Sequence, residues 1–307
     1  MSGYEGVLPV LKPAGFTSHD VVAKLRGILK MKRIGHTGTL DPQVTGVLPL
    51  CLGKATRVVE YLQELPKEYH ATLRLGIATD TEDMTGEVTA QVDDVQVTYE
   101  QVEAALQQFN GVISQVPPMY SAVKINGKRL YEIAREGKTV ERKSREVTIH
   151  ELELIRMEDV DGLPEISFRV LCSKGTYIRT LCVDIGEALG YPSTMVKLER
   201  TMSAGIPAGR CLTIEEIQQC VENDTLSKYL IPTDQSIWNF PSHTIESEQE
   251  RSVLQGKKVS ASYVQPALKE EGLFRLYSKE EQFLGIYQWD AESDTITPKK
   301  VFLPEPS

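Results

Sequence analysis

Strand-type and helix-type patterns alternate along this chain of 307 residues without a regular strand–helix–strand repeat. Apolar residues occupy every second position from Tyr69 to Ile77, which predicts a strand. They recur at helical spacing from Val21 to Leu29, behind a possible cap at Thr17. Strands separated by single helices and by hairpins predict an α+β domain with a mixed, largely antiparallel sheet.

Capping and turn signals predict further elements. Capping boxes that begin at Thr98 and Thr213 each open a helix. Thr176 is expected to cap another helix, which ends at Gly190. Strands are also predicted over residues 119–125, with a turn at Asn126-Gly127, and around 147–149 and 166–172. After Trp238 the apolar runs become short, and turn residues separate them. We therefore expect two domains, 1–241 and a small β-rich domain at 242–307.

The formal charge of −9 argues against a simple basic nucleic-acid binder, but the charge is unevenly distributed. Residues 1–60 and 124–146 each hold eight Lys or Arg against four acidic residues. Residues 75–123 hold eight acidic residues and no Lys or Arg. The two basic segments can form a face that binds a polyanion, and ordinary solvated surface is the alternative.

The cysteine and histidine patterns favour no metal site. Five cysteines contain no Cys-x-x-Cys pair, and the five histidines are scattered. The first residues lack the charged and apolar regions of a signal peptide, and no apolar run is long enough for a membrane helix. We expect a cytoplasmic protein without a metal site.

A glycine-rich segment at 35–57 contains the lone carboxylate Asp41, followed by Pro42. Proline disfavours a helical residue before it, so Asp41 is expected on a turn or an extended loop beside His36. This position makes Asp41 a candidate site residue, and an Asx turn is the alternative. A phosphate-binding loop is excluded, because Leu48 stands where its first glycine belongs and Ala55 replaces its Ser or Thr.

A second cluster at 172–181 places Arg179 near the start of a predicted helix. A cation is unfavourable there unless an anion pairs with it, because the helix dipole is positive at its N-terminus. Arg179 is thus expected to meet a carboxylate or a phosphate, and a solvated arginine is the alternative.

Segments 12–18, 35–46 and 173–180 resemble motifs of the TruB family, the tRNA pseudouridine-55 synthases. Segments 67–69, 74–83 and 117–123 add further matches, and the resemblance covers about residues 7–205. It implies the pseudouridine synthase sheet with flanking helices, followed by a PUA-like C-terminal domain. It also implies an isomerase, an intramolecular transferase that breaks the C1′–N1 bond of uridine 55 in the tRNA T loop and rejoins the base through C5. No cofactor is implied.

The resemblance implies a role for six residues. Asp41 would either attack C1′ or abstract the 2′ proton, and Arg179 would pair with it. Four others would bind the extruded base and its surroundings: His36, Tyr69, Tyr177 and Leu198. The expected partner is the T arm of tRNA, bound by a monomer with no obligate protein partner.

Two other functions stay open at this point. One is an RNA-binding or RNA-folding protein on the same scaffold, with catalysis incidental. The other is a guide-RNA-dependent relative of the dyskerin type. Residues 242–307 hold eight basic and eleven acidic residues, which departs from a strongly basic RNA-binding domain.

Overall fold

The computed structural model describes residues 3–125 and 127–303. Its strands, in chain order, are β1 (Gly6–Lys12), β2 (Ile34–His36), β3 (Thr45–Leu52), β4 (Lys67–Leu75), β5 (Ile77–Thr79), β6 (Val88–Gln91), β7 (Gly111–Gln115), β8 (Lys124–Ile125), β9 (Lys128–Arg129), β10 (Arg145–Val160), β11 (Leu163–Cys172), β12 (Ser193–Ser203), β13 (Ile206–Pro207), β14 (Ser242–Ile245), β15 (Val259–Ser260), β16 (Val264–Gln265), β17 (Gly272–Tyr277), β18 (Phe283–Asp290) and β19 (Thr295–Val301). Its α-helices are α1 (Ser18–Leu29), α2 (Val59–Glu64), α3 (Tyr99–Gln107), α4 (Leu130–Arg135), α5 (Ile178–Leu189), α6 (Ile214–Glu222), α7 (Thr233–Ser236) and α8 (Ser247–Leu254).

A nine-stranded sheet forms the body of the molecule. Its strands follow the order β1-β3-β12-β4-β11-β10-β7, with β2 added to β3 and β13 added to β12. The contact between β3 and β12 is parallel, and the other pairs in this sheet are antiparallel. The predicted α+β class with a mixed, largely antiparallel sheet is confirmed. Within the described residues no helix is both long and apolar enough to span a membrane.

Helix starts that depend on local sequence are as predicted. Helices α1, α3 and α6 begin after Thr17, Thr98 and Thr213. Thr98 and Thr213 form the expected capping boxes, and the cap expected at Thr17 is also a capping box. The predicted cap of α5 is wrong. Its N-cap is Tyr177, because the hydroxyl of Thr176 donates to the carbonyl of Ser173.

The strand predicted over 119–125 is also wrong in most of its length, since only Lys124–Ile125 is a strand. The backbone carbonyls of this segment are used elsewhere. Tyr120 accepts a hydrogen bond from Arg179, and Ser121 accepts one from the amide of Tyr131. The turn expected next includes Asn126, which lies outside the described residues.

The C-terminal strands form a separate six-stranded sheet in the order β15-β19-β18-β17-β14-β16. This sheet packs on the first part of the chain. Phe302 lies in one apolar cluster with Val47 and Val58, and the guanidinium of Arg57 lies 5.0 Å from the Phe302 ring centroid. A domain boundary at 242 stays a prediction, and the last predicted residues, 304–307, lie outside the described part of the chain.

Gly46 lies where β3 pairs with β12, and the two backbones approach each other closely there. Its φ of +111° is in the region that favours glycine, and a Cβ there would lie 2.2 Å from the carbonyl oxygen of Arg200. No residue with a side chain fits this contact without moving a strand.

We predict that Gly46→Ala lowers the free energy of unfolding by more than about 2 kcal/mol, because the backbone contact must open. Gly111→Ala is the matched control, since Gly111 has a φ of +98° and nothing within 4 Å of the added methyl group. Urea denaturation of both variants checks this. Equal losses would show that the φ angle alone accounts for the effect.

Candidate active site

Asp41 lies on the loop between β2 and β3, and both sides of this loop are anchored. The side chains of Leu40 and Val44 are buried in the main apolar core. The amide of Leu40 donates to Ser18 Oγ at 2.9 Å, and the amide of Val44 donates to the Asp41 carbonyl at 3.1 Å. This second bond closes a turn with Pro42 in its second position, where proline is favoured. The Asp41 side chain is 47% exposed, so an anchored backbone presents a reachable carboxylate.

Arg179 is the cation that faces Asp41. Its Nη2 lies 3.1 Å from Asp41 Oδ2, although its own side chain is only 7% exposed. Two backbone carbonyls fix the guanidinium, since Nη1 donates to Thr81 at 3.0 Å and Nη2 donates to Tyr120 at 2.8 Å. The predicted meeting of Arg179 with a carboxylate is therefore present in the structure.

Asp83 is a second carboxylate near Arg179, and the sequence analysis gave it no role. Its Oδ2 lies 4.0 Å from Arg179 Nη1. Its Oδ1 accepts hydrogen bonds from the hydroxyl of Thr81 and from the amide and hydroxyl of Thr85. Asp83 lies in segment 74–83, which resembles the TruB family. That resemblance was the one sequence feature that could have identified Asp83 as a candidate site residue.

Lys12 was also missed. It is fully buried at the end of β1, and its Nζ donates to the carbonyls of Pro13, Phe16 and Pro42. Burial lowers its pKa to about 8, and the nearby carboxylate of Asp41 opposes this change. Lys12 therefore ties the turn after β1 to the residue that follows Asp41.

Tyr69 and Leu198 lie on neighbouring central strands of the sheet, β4 and β12. Tyr69 is opposite Arg200, and Leu198 is opposite Ala71. Paired residues of adjacent strands point to the same face of a sheet, so these side chains share one face. Tyr69 is 9% exposed, and Leu198 is half-buried against the same core. Burial raises the pKa of Tyr69, and Arg200 opposes this rise.

His36 ends β2 on the same loop as Asp41. Its Nδ1 accepts the amide of Gly38 at 3.3 Å, and its ring meets the edge of His19 at a centroid distance of 5.3 Å. Burial lowers the pKa of His36, and His19 adds to this effect. With Nδ1 used as an acceptor, the neutral ring carries its proton on Nε2 and presents a donor.

Tyr177 precedes α5, and a buried glutamine fixes its backbone. Gln115 Oε1 accepts the Tyr177 amide at 2.7 Å, and Gln115 Nε2 donates to the Tyr177 carbonyl at 3.0 Å. The guanidinium of Arg145 lies 5.7 Å from the centroid of the Tyr177 ring. Gln115, on the distant strand β7, had no sequence signal, because its role depends on the tertiary contact.

Asp41 and Arg179 thus contact each other directly. Of the other predicted residues, His36 shares the loop of Asp41, Tyr69 and Leu198 share one face of the sheet, and Tyr177 precedes the helix of Arg179. Most lysines and arginines of the two basic segments are exposed, as at Lys24, Lys30 and Lys128.

A cavity of about 1020 Å³ lies elsewhere, between the N-terminal segment and the C-terminal sheet, and none of the six predicted residues lines it. Among the described residues no group of three or more His, Cys, Asp or Glu is arranged to hold a metal ion.

Family models match nearly the whole chain. Residues 26–178 match the N-terminal domain of the TruB family of pseudouridylate synthases. Residues 179–237 match the C-terminal domain of tRNA pseudouridylate synthase B, and residues 241–302 match a C-terminal model of pseudouridine synthase II TruB.

Curated proteins and a solved structure agree with these matches. A tRNA pseudouridine synthase B from Staphylococcus haemolyticus is 46% identical over 97% of this chain and 99% of its own length. One from Geobacillus thermodenitrificans is 45% identical over the same shares. A chain in the crystal structure of a Cbf5-Nop10-Gar1 complex has a TM-score of 0.76 at 27% identity, over 97% of this chain and 85% of that chain. The fold is that of the pseudouridine synthases.

His36 gives a testable pH effect on stability. The pKa of His36 is lower in the folded protein than the ordinary value of 6.5, so a proton binds the unfolded chain more tightly. The contribution of His36 to the stability of the folded state is therefore largest above pH 6.5, where His36 is neutral. The contribution is lost as the pH falls through the folded-state pKa. Urea unfolding at pH 7.5 and 5 should show a larger loss of stability for the wild type than for His36→Gln. The exposed His150 supplies the control, since His150→Gln should keep the wild-type loss.

Proposed function

This chain belongs to the TruB family of pseudouridylate synthases, and from that membership and the geometry of its site we infer that it isomerises uridine to pseudouridine in tRNA. The observation that carries the proposal is the ion pair between exposed Asp41 and buried Arg179. A protein that only bound RNA would gain nothing from a carboxylate fixed in this place, because phosphates repel it. A carboxylate held next to a rigid cation suits a catalyst that must stay ionised and correctly oriented.

The reaction breaks the C1′–N1 bond and forms a C1′–C5 bond with the same base. In one route an Asp41 oxygen attacks C1′, N1 of uracil leaves with the bonding electrons, and C5 of the rotated base later displaces Asp41. In the other route Asp41 removes the 2′ proton and N1 leaves with the bonding electrons, which gives a C1′=C2′ double bond. C5 of the rotated base then bonds to C1′ while C2′ takes a proton back. In both routes C5 finally loses its own proton to water. Both routes need the carboxylate as an anion, and Arg179 pairs with it and orients it in both. The residues proposed here perform either route without metal or cofactor chemistry.

The proposed substrate is uridine 55 of the T loop, which must leave the folded loop to reach Asp41. Unstacking a base costs a few kcal/mol, and contacts to the extruded nucleotide offset that cost. Tyr69 would stack on the base, while Tyr177 and Leu198 would line its pocket. His36 would donate from Nε2 to the RNA. Exposed lysines and arginines of the two basic segments would contact the phosphates.

We extend the proposal to the organisation of the protein. Residues 1–241 would form the catalytic domain, and 242–307 a PUA-like domain that touches RNA away from the target. Because that second domain has no basic segment of this kind, we assign most of the electrostatic attraction to the two basic segments at 1–60 and 124–146. We propose that the protein acts in the cytoplasm as a monomer and needs no obligate protein partner. These proposals include no membrane association.

Tritium release from an unmodified tRNA transcript labelled at uridine C5 tests the function, because C5 loses its hydrogen when it bonds to C1′. The wild type alone, without added metal or cofactor, should release one tritium for each modified site. Asp41→Asn should keep the shape of the site and reduce release to background. A folded wild type that binds the tRNA and releases no tritium would sink the enzyme proposal and favour a binding role or a missing partner.

Arg179→Lys tests the partner of Asp41. A lysine keeps the charge but cannot bond to Thr81, Tyr120 and Asp41 in one plane, so we expect turnover to fall by about 100-fold or more. Arg169→Lys is the matched control, because Arg169 also bonds to several acceptors, Glu68 and Glu151 among them, but lies outside the site. Initial rates of tritium release compare the variants. Near wild-type turnover of Arg179→Lys would remove this residue from the mechanism.

A further inference from the structure

Arg200 is a buried cation for which the mechanism above has no use. It is 1% exposed, and two of its hydrogen bonds go to backbone carbonyls: Nε donates to Val47 at 2.7 Å and Nη2 donates to Gly38 at 3.4 Å. Taking a charge out of water is costly even in relaxed proteins. Carbonyl dipoles offset less of that cost than a carboxylate does. The burial of Arg200 therefore indicates a function other than stabilising the fold.

The two carbonyls that Arg200 binds lie on opposite sides of Asp41 in the chain. Gly38 precedes Asp41 on the catalytic loop, and Val47 follows it at the start of β3. One rigid guanidinium therefore holds both ends of the loop that carries the carboxylate. Between these two ends, the carbonyl of Pro42 accepts a hydrogen bond from Lys12. Hydrogen bonds to the carbonyls of Gly38, Pro42 and Val47 therefore fix the loop backbone at three points.

Arg200 is also next to Tyr69. The two residues are opposite each other on β12 and β4, and the guanidinium lies beside the Tyr69 hydroxyl. Arg200 is in turn opposite Gly46 on β3, where the missing side chain lets the two strands approach. Four neighbouring strands thus bring Lys12, Gly46, Arg200 and Tyr69 into one row beneath the loop.

We propose that Arg200 is a positioning residue, which holds the Asp41 loop and the Tyr69 ring in one fixed relation to each other. The inference rests on the proposed function. An arginine is required because its planar fork carries donors in several directions, whereas a lysine offers one point charge. Arg200 acts through Asp41 and Tyr69, since its donors are directed to the protein itself.

The first experiment compares Arg200→Lys with the wild type under single-turnover conditions. The rate constant for tritium release should fall by about 10- to 100-fold, because small misplacements of reacting groups cost this much. The affinity for the tRNA should stay within about threefold of the wild type, because no phosphate contact changes. Arg74→Lys is the matched control, because Arg74 is a half-buried arginine of the same sheet that pairs with Glu165 on the face away from Tyr69. It should keep the wild-type rate.

The outcomes distinguish a failure of the proposed function from a failure of the positioning role of Arg200. If the wild type releases no tritium, the proposed function fails. If the wild type is active and Arg200→Lys has the same rate, the positioning role fails. A parallel fall in rate, tRNA affinity and unfolding midpoint would also overturn it, because that pattern indicates general damage to the fold.

A second measurement needs no Arg200 variant to fold. In ¹⁵N-labelled protein the side-chain resonances of Arg200 should shift when Tyr69→Phe removes the neighbouring hydroxyl. They should not shift in Tyr177→Phe, which removes the same atom from a ring that faces Arg145 instead. Arginine resonances that are identical in wild type and Tyr69→Phe would contradict the contact, and with it the proposed link between Tyr69 and the loop.

Discussion

The ion pair between Arg179 and Asp41 is the interaction on which the rest of the site depends. Arg179 is buried, so its charge must be satisfied inside the protein. The carbonyls of Thr81 and Tyr120 fix its plane, and the remaining direction is left for Asp41. The segments around Thr81 and Tyr120 are therefore not strands, because these carbonyls bond to the Arg179 side chain and not to a neighbouring strand.

Two more buried cations bond to backbone carbonyls below the loop that carries Asp41. Lys12 and Arg200 are buried cations that bond to backbone carbonyls on the loop or next to it. Hydrogen bonds from buried cations to the carbonyls of this loop restrict the movement of its backbone. We propose that the site is prepared before RNA binds, so that binding energy is used to extrude the base and not to assemble the catalyst.

The sequence predicted what depends on near neighbours. The caps at Thr17, Thr98 and Thr213, the α+β class and an anionic partner for Arg179 follow from spacing and the helix dipole, and the family resemblance singled out Asp41. The sequence did not predict contacts made by distant residues. Gln115 replaces Thr176 in fixing the start of α5, and Asp83 and Arg200 acquire a role only from the carbonyls and side chains that the sheet brings to them.

The most direct test is to map the product on a full-length tRNA transcript after incubation with the purified protein alone. Pseudouridine retains a carbodiimide adduct after alkaline treatment, and the adduct stops primer extension one nucleotide before the modified site. We predict one new stop, at uridine 55 of the T loop, with the wild type and none with Asp41→Asn. No new stop with the wild type, or the same stop with both proteins, would contradict the account.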